Sequence, residues 1–117
     1  MAMEPAELRL HGAALEQGYS EVASQHARAD GALVTAFVRG PVVTDLGDTV
    51  TSMSRRAGMH RLPLRARRTV EGICRMNDAL FERNAVILRL ESGGALALRD
   101  AVDKLGRICA RLSRLRI

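Results

Sequence analysis

The chain has 117 residues, 47% hydrophobic and 3% aromatic, with a formal net charge of +5. That length suits one domain burying roughly two thirds of its unfolded surface without cross-links. No apolar run approaches the ~18 residues of a membrane span, and Glu4 and Glu7 stand where a secretory signal would be basic, so a cytoplasmic protein without membrane contact is expected.

The expected fold is all-α, a single helical domain over 1–117: a small bundle with a long N-terminal helix, a short middle helix and a C-terminal antiparallel helical hairpin. Pro5 suits a first helical turn, and Leu8, Leu15, Tyr19, Val22, His26, Ala29, Leu33 and Phe37 keep one angular register, predicting a helix over 5–38. Asp30-Gly31 marks a possible break near 30, and Gly40-Pro41 ends the segment. Thr44 or Asp45 then serves as N-cap, and Leu46, Val50, Met53 and Ala57 predict a short helix over 45–57.

The remainder reads as the hairpin, with helices over 64–91 and 95–116 joined through Ser92, Gly93 and Gly94. In the first, Val70, Ile73, Cys74, Leu80, Phe81, Ile87 and Leu88 fall within an arc of roughly 140°. In the second, Leu98, Ala101, Val102, Leu105, Ile108, Cys109, Leu112 and Leu115 share one face. Cys74 and Cys109 sit on inner faces without metal-ligand spacing, as buried reduced thiols. His11, His26 and His60 are too scattered for a metal site.

Charge is uneven. Residues 1–48 carry seven acids against three arginines, a net of −4, and the remainder fifteen basic groups against six acids, a net of +9. Such asymmetry points to a polyanionic partner. Arginine outnumbers lysine seventeen to one, which with the many alanines also fits a GC-rich bacterial genome, and the acidic part has the alternative of packing on the basic part.

The most suggestive stretch is Arg55, Arg56, Arg61, Arg65, Arg67 and Arg68, six arginines within fourteen residues that contain no acid. Residues 50–68 resemble the helix-turn-helix pattern of DNA-binding regulators: Ser54 stands four positions before Gly58, and Met53, Ala57, Met59 and Leu64 take the apolar locking positions. The resemblance implies a recognition helix turning Arg61, Arg65 and Arg68 towards phosphates or base edges. Pro63 and Arg67 depart from the pattern, and a solvated basic corner is the competing reading.

Asn77 and Asn84, one heptad apart on the apolar arc, are candidate partner or register residues in a homodimer or against a client helix. Each also has the option of pairing with a backbone carbonyl. Arg107, Arg111 and Arg114 form a secondary basic patch that complements the helix dipole.

No nucleophile–base pair, paired carboxylates or glycine-rich phosphate loop stands out, so a non-enzymatic protein without cofactor or metal is expected. Two readings remain. One is a regulator, acting as a homodimer, that binds duplex DNA through the arginines, since the scarce aromatics give single strands no stacking platform. The other is a helical protein-interaction module (a secretion chaperone, adaptor or antagonist of another regulator) that binds a protein partner or itself through apolar helix faces.

Overall fold

The computed structural model describes residues 15–91 and 94–117. It overturns the all-α expectation: among the described residues it holds a five-stranded antiparallel sheet carrying three helices, not a helical bundle. In chain order the elements are β1 (Ser20–Ala27), β2 (Leu33–Arg39), β3 (Val42–Thr44), α1 (Asp48–Arg56), α2 (Leu64–Met76), β4 (Leu80–Glu82), β5 (Ala85–Arg89) and α3 (Ala95–Ser113). The strands lie in the order β1-β2-β3-β5-β4.

The predicted helix over 5–38 is replaced, from Ser20 on, by the β1–β2 hairpin; residues 5–14 lie outside the described residues. The turn is built by Asp30 and Gly31. Gly31 takes φ +88°, and the Asp30 carboxylate accepts the Ala32 amide at 3.0 Å. An aspartate bonding its own backbone two residues on, before a glycine in the left-handed region, is a turn with its own chemical cause. A register shift between Ala23 and Ala27 marks a bulge in β1. Gly40-Pro41 then forms a two-residue turn, with Gly40 at φ +56° in the first central position and Arg39 paired with Val42, as a II′ hairpin requires.

The predicted helix over 64–91 stops at Met76. Asn77 folds its amide back onto the Ile73 carbonyl at 2.8 Å and Asp78 takes φ +56°, so the helical ladder cannot continue. A second hairpin follows. Arg83 and Asn84 both have positive φ, the requirement of a two-residue I′ turn, and Leu80, Phe81 and Glu82 face Ile87, Val86 and Ala85. The C-terminal element is therefore no helical hairpin, since β4 and β5 intervene before α3; Ser92 and Gly93 of the supposed turn are outside the described residues.

One face of the sheet, bearing Val34, Ala36, Val43, Val86 and Leu88, packs against Val102, Leu105, Ile108, Cys109 and Leu112 of α3 and Val50 and Met53 of α1, in one core. Closest approach is at Gly106, where a Cβ would lie 2.6 Å from Ser24 Oγ and 2.9 Å from His26 Cδ2. A mid-helix glycine costs about 1 kcal/mol of helix propensity; here it lets α3 lie directly on β1. His26 Nε2 meets Asp103 Oδ1 at 2.8 Å beside it.

Asp45, 1% exposed, ties the layers together. Its Oδ1 accepts the Gly47 amide at 3.0 Å and the Val86 amide at 2.8 Å, and its Oδ2 accepts the Thr49 amide at 3.1 Å. One carboxylate thus fixes the β3–α1 turn, the first turn of α1 and the start of β5, and the Cys109 thiol donates to it from α3 at 3.8 Å. No helix is long and apolar enough to cross a membrane among the described residues.

Candidate interaction surface

Arg55 and Arg56 occupy the last turn of α1, where their charge complements the helix dipole. Arg61 stands in the loop between the helices, and Arg65, Arg67 and Arg68 on the first turns of α2. All six are exposed. They divide over two recesses. Arg55, Arg61 and Arg67 converge on a groove of about 450 Å³ between α1, the 57–63 loop and the β4–β5 turn, where Asn84 stands at its rim and Val50 and Leu62 form its floor. Arg65 borders a second recess with Arg116 and Ile117 of the C-terminal tail. Arg56 and Arg68 line neither.

The helix-turn-helix geometry implied by the sequence is not formed. Seven residues, 57–63, separate α1 from α2, against the three or four of such a turn. Of the locking residues only Met53 is buried; Ala57 is exposed, Met59 is 42% exposed and Leu64 62% exposed. Gly58 does end α1 at φ +69°, with the Met59 amide bonded to the Ser54 carbonyl at 2.8 Å. That is helix termination, and α2 then leaves to pack on β4 and α3.

The asparagines are not inward-facing helix residues. Asn77 caps α2 by donating its side-chain amide to the Ile73 carbonyl, and Asn84 is an exposed turn residue at φ +65°. They do not lie on one helix, so the expected heptad-spaced pair on a single helical face is not formed. The secondary basic patch keeps Arg107 and Arg111 together and turns Arg114 aside. Arg107 is held 3.6 Å from Asp103, and Arg114 donates to the Ala27 and Ala110 carbonyls at 2.9 and 2.7 Å, fastening α3 to β1. Arg111 instead joins Asn77, Lys104 and Arg107 around a shallow cleft at the end of α2.

Both cysteines are buried free thiols. Burial, followed by the charges of Asp45 and Glu71, pushes the Cys74 thiol up to about 11. Burial and the Asp45 charge push Cys109 well above its ordinary value. Neither presents a thiolate for chemistry. No group of three metal-ligating side chains occurs among the described residues.

Helical periodicity did not reveal the exposed apolar side chains that accompany the arginines. Met59 precedes α2, Leu64 opens it, Met76 closes it at 81% exposure, and Leu80 on the neighbouring edge strand β4 is 45% exposed. Their sequence signal was weak: Leu64 was assigned to a helix lock, and Met76 falls outside the apolar arc of its helix. Comparison with known proteins found no matching family model, no similar curated protein and no similar solved structure.

Proposed function

We propose that this protein is a small docking module that engages a protein partner, and a second copy of itself, through α2, the loop that precedes it and the adjoining β4 edge. The observation that carries this reading is the mixture of exposed Met59, Leu64 and Met76 with Arg61, Arg65, Arg67 and Arg68 over one helix and its approach. Methionine and arginine are enriched in protein interfaces, where acids and lysine are depleted, and no acid occurs between Thr49 and Val70. Burying one such Leu or Met side chain contributes about 1.5–3 kcal/mol. The three-residue β4 edge beside Met76 and Leu80 is a natural seam for a two-fold dimer.

A second reading, binding of duplex DNA, is supported by the exposure of all six arginines of the acid-free run. It leaves the apolar members of the surface without a role. Two measurements separate the readings. Sedimentation of the wild type against Leu64→Ser/Met76→Ser is expected to show a dimer that weakens in the variant, with thermal stability unchanged because both side chains already face solvent. Fluorescence anisotropy with random-sequence duplex DNA is expected to show only weak binding. A steep loss of affinity from about 50 to 200 mM salt, following tight binding at low salt, would instead reveal several phosphate contacts and favour the DNA reading.

A further inference from the structure

We propose that the groove between α1, the 57–63 loop and the β4–β5 turn receives an extended acidic segment of the partner protein. The inference rests on the docking reading and specifies what is docked. The groove draws its walls from α1, the 57–63 loop, the start of α2 and the β4–β5 turn, and Arg55, Arg61 and Arg67 converge on it without any acidic side chain in its lining. Arg61 and Arg67 make no ion pair among the described residues. Guanidiniums sharing one recess repel each other, and a carboxylate entering between them gains charge-assisted, bidentate hydrogen bonds.

The floor adds the second requirement. Val50 and Leu62 line it but are each only 5% exposed, and Met59, also in the lining, is 42% exposed, so Met59 supplies most of the apolar contact the site offers beside its arginines. An extended chain with carboxylates alternating with apolar side chains satisfies both at once, because successive side chains point to opposite sides. A duplex brings phosphates along its backbone, but its exposed apolar groups, such as thymine methyls, sit in its major groove away from those charges. Asn84, held at the rim by the I′ turn, makes no side-chain hydrogen bond among the described residues and presents both donors and an acceptor. That chemistry matches the backbone of an extended segment.

The test uses the full chain and a fluorescein-labelled peptide of about twelve residues in which glutamate alternates with leucine and alanine. Anisotropy should show binding that weakens with salt, falls roughly tenfold or more in Arg61→Ala/Arg67→Ala, and is unchanged in Arg111→Ala. A peptide with glutamine in place of glutamate should bind more weakly. Equal binding by the glutamine peptide, full affinity in the double variant, or no binding of the acidic peptide at low salt would each overturn the groove assignment. The docking reading survives those outcomes as long as Leu64 and Met76 still govern association. Self-association lost in Arg61→Ala/Arg67→Ala would assign the groove to a second copy and overturn the proposal. Displacement of the peptide by duplex DNA at lower concentration would overturn the docking reading itself.

Discussion

Asp45 is the residue on which the most backbone depends. Its carboxylate accepts the amides of Gly47, Thr49 and Val86, and it is 1% exposed. Leaving a buried donor unpaired costs about 1–3 kcal/mol, so Asp45→Ala should lower the unfolding free energy by about 3 kcal/mol or more in urea titrations. Asp45→Asn keeps one carbonyl acceptor and should lose less. Gly106 is the residue of closest packing. In Gly106→Ala the new methyl meets Ser24 at 2.6 Å, and overpacking of about 1–3 kcal/mol outweighs the gain of about 1 kcal/mol in helix propensity. A net loss is therefore expected by calorimetry, and adding Ser24→Gly should recover part of it.

Asp30 ties the first hairpin to pH. Partial burial alone would raise its pKa, but the Ala32 amide, the Arg28 guanidinium and the Ser52 hydroxyl together hold the carboxyl below its ordinary value of 3.8. A carboxyl depressed in the folded state stabilises it above the unfolded pKa, and that contribution disappears as pH falls through the folded pKa. Stability of the wild type should thus fall more steeply than that of Asp30→Asn as pH drops below about 4. Parallel urea midpoints for the two proteins across that range would expose any absence of this difference.

Two hairpin turns decide the architecture at the scale of elements. The I′ turn needs positive φ at Arg83 and Asn84, which stands at +65°. Asparagine tolerates that region and alanine does not, so Asn84→Ala should cost about 1 kcal/mol in equilibrium unfolding. These turns also explain why helices were read where strands stand. Residues four apart lie on one face of a helix and equally on one face of a strand, so Val22 with His26 and Leu33 with Phe37 fit both. The Asp30-Gly31 pair was the discriminating signal, since Asp-Gly between alternating segments specifies a hairpin. In the second hairpin a spacing of seven imitated a heptad, whereas Leu80 and Ile87 are cross-strand partners around a two-residue turn. The stripe of α3 from Val102 to Leu112 was legible because a helix packed on one side leaves no such ambiguity. Of the candidate site, the arginine cluster was legible as composition; its convergence on a groove depends on the β4–β5 turn, which lies in a segment read as helix.

At the scale of the molecule, one face of the sheet is sealed by α1 and α3, whereas α2 packs through Val70 and Cys74 and leaves Leu64, Met76 and its arginines in solvent. On the proposed docking reading, stability and recognition fall to different parts of the fold: Asp45 and Gly106 hold the sheet to α1 and α3, and α2 with its approach loop is the surface proposed to meet a partner. Replacements at Leu64 and Met76 should accordingly weaken self-association, and replacement of Arg61 should weaken binding of the acidic partner segment, with the unfolding midpoint left in place in each case. The most direct measurement is site-specific photo-crosslinking in the native host, with a photoreactive residue at Leu64, at Met76 and, as control, at exposed Arg99 on α3. A discrete adduct at positions 64 and 76, absent at 99, sensitive to protease but not to nuclease and lost in Arg61→Ala/Arg67→Ala, is the predicted result. Adducts cleaved by nuclease, or no adduct above the control, would contradict the account.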